Sequence, residues 1–478
     1  MIRIALPKGR LMNETAAILK KAGWELPGYY DGMRIYRIKS GRFPELFTKV
    51  IHEEDIPVQV AIGNYDLGIT SLDWAQELIV KYPESAVVEI KELGYGDGML
   101  FAAAYAYGGI SNLKELSENP GTVRIASEYP NLAEHLAANL RLRRFRIFPL
   151  WGGPEAYPPE HAEVVLIVRK SERELVGCGL KSLGKILDCK ACLIANKISW
   201  ETADMAEIIA SICDNLPSSQ AGSNAAIVCG TASPYPPDNS WGAVPGDVVR
   251  LALPDGHQQV HVKRILEAAK VSVNDYPSET GSRRPVSSLE GVVIKVIRPQ
   301  DMLVQVAGGY FDLAVTGRDW LADHLYQFPA SPVKELLDLK YGRVRIVAVV
   351  TNEAPVKDIK EFRQYCAGRN IKVRVATEYT NIADMYARMS RLGGYRVIPT
   401  WGATEAFLPD DADILIENTE TGTTIAKNNL KIIDTLFEST ACLVGSSKAV
   451  KNAVKRRRIN NIIQVLRKGV EEIQLAGH

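Results

Sequence analysis

Ala126-Ser127-Glu128-Tyr129-Pro130-Asn131 returns later in the chain as Ala376-Thr377-Glu378-Tyr379-Thr380-Asn381, 250 positions further on. The same offset carries Pro149-Leu150-Trp151-Gly152 onto Pro399-Thr400-Trp401-Gly402. Self-similarity at a fixed offset is the sequence signature of repeated architecture. The chain is therefore predicted to contain the same unit twice, and this duplication decides the fold.

Tyr65-Asp66-Leu67 maps onto Phe311-Asp312-Leu313 at an offset of 246, which indicates an insertion of about four residues between the conserved blocks. The first copy is predicted to span residues 1–217 and the second residues 248–478. Residues 218–247 between them are rich in Pro, Gly and Ser, a composition that helices and sheets tolerate poorly. This stretch is predicted to be a linker.

Short β-branched runs alternate with helical patterns in each copy, which is typical of α/β domains with mostly parallel sheets. Val373 to Ala376, Val397 to Pro399 and Asp413 to Ile416 form a second such series within copy two. We therefore expect two lobes per copy with a cleft between them, resembling type II periplasmic-binding-protein-like domains. A cleft between lobes is a usual place for a ligand.

The composition excludes several classes of protein. At 478 residues, with 57 Lys plus Arg against 56 Asp plus Glu, the chain has a net charge of +1. That balance provides no electrostatic footprint for nucleic acid or for an anionic membrane. The N-terminus lacks the apolar core of a signal peptide, so we expect a cytoplasmic protein. Cys189 and Cys192, like His257 and His261, supply too few ligands for a metal site, and no metal is assigned to the chain.

A loop in copy two carries the strongest chemical signal. A buried strand is followed by Glu417 and Glu420 and then by Thr421-Gly422-Thr423-Thr424, which opens a helix. Backbone N–H groups at a helix start favour a phosphate, and Gly lets the backbone approach it closely. The hydroxyls of Thr421, Thr423 and Thr424 add donors. The two carboxylates are better placed for ribose hydroxyls than for phosphate.

Copy one has lost this loop. Glu172 stands where copy two has Gly422, Lys170 replaces Glu420 and Ile167 replaces Glu417. A carboxylate at the Gly position would repel a phosphate. A simple helix cap would not require all three positions to differ together. We therefore expect a ligand site in copy two only.

Glu420-Thr421-Gly422-Thr423-Thr424 resembles the phosphoribosyl pyrophosphate loop of the ATP phosphoribosyltransferase family, in its short form. Ile4 to Leu11, with Pro7-Lys8-Gly9-Arg10, resembles the start of that family, and Ala376 to Tyr379 resembles its Ala-Thr-Glu-Tyr strand. Gly402-Ala403-Thr404-Glu405 resembles its Gly-x-x-Glu turn. The resemblance covers nearly all of both copies apart from the linker.

The resemblance implies a reaction of histidine biosynthesis in which ATP displaces pyrophosphate from phosphoribosyl pyrophosphate, with Mg²⁺ carried by the substrate. It also implies that two units work together as a dimer, and it suggests as partners a homo-oligomer or a regulatory subunit resembling a histidyl-tRNA synthetase. Because this chain carries two units, we expect them to pack together as a pseudo-dimer.

The two copies are complementary in what they keep. Copy one retains Lys8, Gly9 and Arg10, whereas copy two retains the loop and Arg298, and neither is complete. We therefore expect one composite site per chain. Its expected catalytic residues are Glu417, Glu420, Lys8 and Arg10. Thr421, Gly422, Thr423 and Thr424 would bind phosphoribosyl pyrophosphate. Lys8, Gly9, Arg10, Arg298 and Glu378 would bind ATP or pyrophosphate.

Trp401 and Tyr379 could stack on adenine, but they are interpreted as core aromatics, since such residues bury well without a ligand. Two other functions stay open at this point. The chain could be a non-catalytic regulatory or ligand-sensing pseudoenzyme of the same fold, because fold alone does not give function. It could also be a phosphoribosyltransferase with a nucleobase as acceptor, against which stands the resemblance across whole copies.

Overall fold

The computed structural model describes residues 1–33, 35–216, 247–256, 258–278 and 283–476. The expected linker, residues 218–247, lies outside the described residues except for Asp247, and so does His257.

Copy one begins with strand β1, and a short 3-10 turn covers Pro154–Ala156. Its strands are β1 (Arg3–Lys8), β2 (Arg37–Ile38), β3 (Phe47–His52), β4 (Leu67–Ser71), β5 (Val87–Glu92), β6 (Met99–Tyr105), β7 (Val123–Ser127), β8 (Phe145–Pro149), β9 (Val164–Arg169), β10 (Leu180–Asp188) and β11 (Ala191–Asn196). Its helices are α1 (Met12–Lys21), α2 (Ile56–Ala61), α3 (Leu72–Lys81), α4 (Leu113–Glu118), α5 (Pro130–Asn139), α6 (Glu172–Gly177), α7 (Lys197–Thr202) and α8 (Ala206–Cys213).

Copy two repeats this order, with a 3-10 turn at Thr404–Phe407. Its strands are β12 (Val249–Pro254), β13 (Val273–Asn274), β14 (Val286–Ser287), β15 (Val292–Ile297), β16 (Leu313–Gly317), β17 (Val333–Asp338), β18 (Val344–Thr351), β19 (Val373–Thr377), β20 (Tyr395–Pro399), β21 (Ile414–Thr419), β22 (Leu430–Ser439) and β23 (Ala441–Ser446). Its helices are α9 (Gln258–Ala268), α10 (Pro299–Ala307), α11 (Arg318–Gln327), α12 (Ile359–Gly368), α13 (Thr380–Met389), α14 (Thr423–Lys427), α15 (Ser447–Lys451) and α16 (Ala453–Ala476).

Each copy contains two lobes, and each lobe is built on one main sheet. In copy one the strand orders are β2-β3-β1-β4-β11-β5 in the first lobe and β10-β6-β9-β7-β8 in the second. In copy two they are β15-β12-β16-β23-β17 and β20-β19-β21-β18-β22. Three parallel strands form the heart of each sheet, such as β3-β1-β4 and β9-β7-β8, and antiparallel strands extend it. The expected α/β fold of two tandem two-lobed copies is confirmed.

The central strands are continuous apolar runs because helices and neighbouring lobes cover both faces of each sheet. Ile4, Ala5 and Leu6 of β1 and Ile414, Leu415 and Ile416 of β21 are fully buried. Polar residues occupy the carboxyl-terminal ends of these strands, Lys8 in β1 and Glu417 to Thr419 in β21. The carboxyl ends of parallel strands therefore present the polar side chains at one edge of each lobe.

The two copies pack crosswise: the first lobe of each copy lies on the second lobe of the other. One hydrophobic cluster joins Leu6 and Ile51 of copy one to Phe407 and Leu415 of copy two. A second cluster joins the second lobe of copy one to α10 and neighbouring residues of copy two. Burial of apolar surface in these shared cores is the main free energy that holds the copies together.

A buried lysine stands at the same position in both crosswise interfaces. Lys49 Nζ lies 3.0 Å from Asp411 Oδ2, and that carboxylate also accepts a hydrogen bond of 2.6 Å from the Tyr65 hydroxyl. Lys295, its counterpart at the offset of 246, lies 2.7 Å from Glu160 Oε2. Ammonium groups this deeply buried require ionic partners. Each lysine therefore fixes how one lobe sits on the other copy.

No helix among the described residues is long and apolar enough to cross a membrane. Within the same residues, no group of three or more His, Cys, Asp or Glu side chains is arranged to hold a metal ion.

We expect Lys49→Ala to lower the free energy of unfolding by about 3 kcal/mol, because it leaves the Asp411 carboxylate buried without its cation. Urea unfolding at neutral pH measures this loss. Arg343→Ala is the control, because Arg343 pairs with Glu438 on the exposed surface and such pairs contribute only about 0.5 kcal/mol. Equal stabilities of the two variants would contradict the role given to Lys49.

Candidate active site

The loop after β21 turns sharply at Gly422. Its φ of +77° is a left-handed conformation that glycine adopts without strain, and Gly422 is the N-cap of α14. The Gly422 N–H donates to Thr419 Oγ1 at 2.9 Å, and the hydroxyl oxygens of Thr421 and Thr423 are 2.8 Å apart. Thr421 and Thr423 are exposed. The turn thus presents hydroxyls and the start of a helix to solvent, which suits a phosphate group.

The corresponding turn in copy one has a different backbone. Ser171, the N-cap of α6, is extended with a φ of −157°. The Lys170 N–H donates to Glu174 Oε2 at 3.0 Å, so a carboxylate of the chain itself takes a backbone donor beside the helix start. A phosphate would meet negative charge there from Glu172 and Glu174. The loss of the loop is therefore a change of backbone as well as of side chains.

Lys8 of copy one faces the second lobe of copy two. It ends β1, and its ammonium group lies 3.1 Å from the Tyr36 hydroxyl. Burial lowers the pKa of Lys8, while the nearby Glu405 carboxylate opposes that shift. Lys8 therefore brings a positive charge from copy one to the Gly-x-x-Glu turn of copy two.

His52 reaches the same turn from the end of β3. A methyl group on the Cα of Gly402 would lie 3.1 Å from His52 Nε2 and 3.5 Å from Glu378 Oε1. Gly402 has a φ of +108°, so both the conformation and the close approach require glycine. Burial, reinforced by Lys8, lowers the pKa of His52 to about 4. The imidazole is therefore neutral at neutral pH.

Three carboxylates converge beside Lys8 and His52. Burial raises the pKa of Glu378 to about 7, with a further contribution from Glu405. Burial likewise raises the pKa values of Glu405 and Glu417, and Glu405 and Glu378 add to the effect at Glu417. These three residues with Lys8, His52 and the loop 419–424 are called the composite site below. Both copies contribute to it.

Gln300 adds a third lobe to the composite site. It belongs to α10 in the first lobe of copy two, and its side chain hydrogen-bonds to Glu378 in the second lobe. Its position in the repeat corresponds to Glu54 of copy one, which lies close to Glu128 and Arg298. The amide of Gln300 therefore bridges the cleft of copy two without adding another negative charge.

The structure brings Lys8, Glu378, Glu417 and the loop to one place, but Arg10 points elsewhere. Its guanidinium lies 3.5 Å from Glu53 and from Asp73, and 3.4 Å from the Cys189 carbonyl oxygen. Burial lowers the pKa of Arg10, yet the two carboxylates outweigh it and the net shift is upward. Arg10 thus joins the segments after β3 and β4 of the first lobe to the connection between β10 and β11, where the chain passes between the lobes of copy one. Gly9 beside it has a φ of +107° and open space around its Cα.

Arg298 lies in the opposite crosswise interface. Its guanidinium Nε is 3.8 Å from Asp255 Oδ2 and would be 2.9 Å from a methyl group on Gly152. Glu420 is exposed on the copy-two loop. Arg298 and the loop therefore belong to different interfaces, although both are in copy two.

The opposite interface, formed by Asp255, Arg283 and Arg298 of copy two with Glu155 and Arg169 of copy one, is called the second interface. Arg283 Nε lies 2.9 Å from Glu155 and its Nη1 lies 2.5 Å from Asp255. Arg169 approaches Glu155 at 3.3 Å. The two arginines therefore neutralise the Glu155 carboxylate within the protein. The equivalent Glu405 has no arginine at the equivalent positions.

The repeat explains the difference. The Arg283 carbonyl accepts from the Val296 N–H as the Tyr36 carbonyl accepts from the Val50 N–H, so Arg283 corresponds to Tyr36. Asp255 likewise corresponds to Lys8. The composite site therefore has the ammonium group of Lys8 where the second interface has the carboxylate of Asp255. It has the phenol of Tyr36 where the second interface has the guanidinium of Arg283.

Comparison with known proteins gives the family. The model for HisG, ATP phosphoribosyltransferase, matches residues 52–218 and 298–468. An ATP phosphoribosyltransferase of Thermodesulfovibrio yellowstonii is 30% identical over 224 residues, which cover 46% of this chain and 71% of that protein. One of Chlorobium chlorochromatii is 35% identical over 224 residues, covering 46% and 70%. The chain belongs to the ATP phosphoribosyltransferase family.

Solved structures are also similar to it. The ATP phosphoribosyl transferase (HisG:HisZ) complex from Thermotoga maritima aligns at 21% identity and a TM-score of 0.38, covering 47% of this chain and 99% of that chain. The periplasmic aliphatic sulphonate binding protein SsuA from Escherichia coli aligns at 14% identity and 0.29, covering 45% and 68%. The family model matches twice, so the resemblance found in the sequence, including the tandem duplication, is confirmed.

Four residues at the two interfaces of this family member were not predicted as site residues from the sequence: Glu405, His52, Tyr36 and Arg283. The repeat contains a signal for two of them, because the Gly-x-x-Glu turn of Glu405 occurs in both copies and His52 is the counterpart of Arg298. Tyr36 and Arg283 share no residue type, so the repeat gives no signal for them. Tyr379 is a core residue as expected, 1% exposed, whereas Trp401 is 40% exposed and is not.

Glu378→Gln should stabilise this family member in a pH-dependent way. Glu378 has a pKa of about 7 in the folded chain, against 4.5 for an unperturbed glutamate as in the unfolded chain. The folded chain therefore holds this proton more tightly. The contribution of this carboxyl group to stability therefore falls as pH rises from about 4.5 to about 7. We expect a gain on the order of 1–3 kcal/mol at pH 8 that vanishes near pH 4.5.

Urea unfolding of the parent and the variant at several pH values measures that difference. Glu420→Gln is the control, since it removes an exposed carboxylate of the same site and should change stability little. A Glu378→Gln gain that does not depend on pH would show that the carboxylate is not protonated on folding.

Proposed function

We propose that the chain is an ATP phosphoribosyltransferase with one active site, the composite site. The observation that carries the proposal is that Lys8 of copy one faces Glu405 of copy two, beside the intact loop. Copy one lacks the phosphate loop and copy two lacks a counterpart of Lys8, and each copy supplies the missing part to the other at this interface. The membership in the family supports the reaction, which condenses ATP with phosphoribosyl pyrophosphate to give phosphoribosyl-ATP and pyrophosphate.

The loop would bind the phosphate of phosphoribosyl pyrophosphate through Thr421, Gly422, Thr423 and Thr424. Glu417 and Glu420, which flank the end of β21, would accept hydrogen bonds from the ribose hydroxyls. In this orientation the anomeric carbon would face the interior of the composite site. Positioning of two bound reactants is a large part of catalysis in such displacements.

The charges at the composite site suit the displacement. Adenine N1 forms a bond to the anomeric carbon while the bond from that carbon to pyrophosphate breaks, so positive charge develops on the sugar and on the purine. The developing positive charge would favour the ionised forms of Glu378 and Glu417, whose pKa values are raised in the free chain, and these carboxylates would stabilise it in turn. Lys8 would pair with the departing pyrophosphate. Arg10 acts as a positioning residue in this scheme, and Arg298 takes no part at the composite site.

Mg²⁺ enters the proposal as part of the substrate. It binds pyrophosphate oxygens and usually needs only one or two protein carboxylates. Beside the pyrophosphate oxygens, a single carboxylate of the composite site, such as Glu405, would be enough. When bound, Mg²⁺ neutralises charge on the leaving group.

A regulatory or ligand-sensing pseudoenzyme is the second candidate. It is favoured by His52, which is neutral at the position where copy two has the cationic Arg298. A site that lacks this positive charge would bind substrates yet convert them poorly. The partner would then be an active transferase or a regulatory subunit resembling a histidyl-tRNA synthetase, in either case in the cytoplasm.

Turnover by the purified chain decides between the candidates. Incubation with ATP, phosphoribosyl pyrophosphate, Mg²⁺ and a pyrophosphatase should give phosphoribosyl-ATP. Lys8→Ala should lower kcat/KM by about 100-fold, the effect of losing one charge-assisted contact to the leaving group. Gly422→Glu, which introduces the residue found in copy one, should lower it at least as much.

Two control variants are needed. One separates the effect of the new carboxylate at position 422 from the effect of backbone strain, and the other separates the composite site from the second interface. Gly422→Ala carries the same strained φ without the carboxylate, so its activity should lie well above that of Gly422→Glu. Asp255→Ala alters the counterpart of Lys8 at the second interface and should leave turnover nearly unchanged. Loss of activity in the loop variant alone would confine catalysis to copy two, and an inactive parent would favour the pseudoenzyme.

A further inference from the structure

Trp401 is exposed where its neighbours are not. It exposes 40% of its surface, whereas Thr400 and Thr404 on either side are fully buried. Its backbone N–H donates to the buried Asp55 carboxylate across the crosswise interface. The turn is therefore fixed in place, and the exposure of the indole is not the result of a loose loop.

The indole breaks the symmetry of the repeat. Its counterpart Trp151 contacts two aromatic rings, Trp320 at 6.0 Å and Trp401 at 5.9 Å. Trp320 in turn packs on Tyr379 at 4.4 Å. Among the described residues, Trp401 has only Trp151 as an aromatic neighbour, although Trp74 occupies the position equivalent to Trp320. Trp401 thus packs against Trp151 on one side and exposes 40% of its surface to solvent.

Polar side chains lie close to the turn that carries Trp401. The next residue, Gly402, lies against His52 Nε2 and Glu378 Oε1, and Glu405 follows on the same turn. An exposed indole on the same turn as a carboxylate offers a flat π surface, and the neighbouring carboxylates are acceptors for an amino group. Aromatic side chains used in this way stack on bases of any kind, and an edge contact then selects among them.

We propose that Trp401 is the platform on which the purine of the acceptor nucleotide stacks, with the amino edge of the base directed at Glu378. This inference rests on the proposed function, in which that nucleotide is ATP. The supported side of the indole stays on Trp151, and the purine covers the open side. The ionised Glu378 carboxylate then selects adenine, because the 6-oxo group of GTP or ITP would face a negative charge without a donor.

Equilibrium titration of the full chain with ATP alone tests the platform without requiring turnover. We expect ATP to quench the indole fluorescence, and Trp401→Leu to remove that quenching and weaken ATP binding by about tenfold or more. Trp401→Phe should retain much of the affinity, because it keeps a π face. GTP and ITP should bind the parent at least about tenfold more weakly than ATP, and Glu378→Gln should narrow that gap.

Trp151→Leu is the matched control, since it removes the partner indole but not the proposed platform, and it should bind ATP nearly as the parent does. The KM for ATP should rise in Trp401→Leu while the KM for phosphoribosyl pyrophosphate stays unchanged. Parent-like ATP binding by Trp401→Leu would overturn the proposal, as would equal losses in Trp401→Leu and Trp151→Leu. Trp401-dependent ATP binding without product would instead refute the proposed function and leave the platform standing.

Discussion

The crosswise contact between each first lobe and the opposite second lobe is the constraint on which the rest of the structure depends. Lys49 and Lys295 are buried in these contacts with carboxylate partners, and removing either partner leaves an uncompensated charge. The shared hydrophobic cores supply most of the free energy, while the ion pairs fix the register. As a consequence Lys8 and Glu405, about 400 positions apart in the chain, reach the same site.

The composite site and the second interface have equivalent backbone positions, but they differ in the charged side chains around the equivalent glutamates Glu405 and Glu155. Arg283 and Arg169 bind Glu155 at the second interface, so its carboxylate is balanced within the protein. Glu405 and its neighbours at the composite site have raised pKa values, chiefly because of burial. Burial of carboxylates whose pKa values are raised lowers the stability of the folded chain at neutral pH, and such a loss of stability is common at sites that bind a ligand. The equivalent glutamates Glu155 and Glu405 are therefore held differently, the first in ion pairs with arginines and the second in a cluster of buried carboxylates.

The sequence predicts what depends on local pattern. The repeat, the two-lobed copies and the Gly-containing turn that opens α14 follow from residue types and spacing. The sequence does not reveal that Arg10 is bound by Glu53 and Asp73 or that Arg298 and the loop face opposite interfaces. Those facts depend on which lobes pack together. The exposure of Trp401 has the same origin, since an indole is buried or exposed according to its neighbours.

The stoichiometry of phosphoribosyl pyrophosphate binding tests the central claim most directly. Calorimetric titration of the purified chain, with Mg²⁺ present, counts the sites without depending on turnover. One molecule bound per chain is the result predicted for a single composite site with a closed second interface. Two molecules per chain would contradict the account, because the second interface would then have to open its ion pairs and bind substrate without a loop.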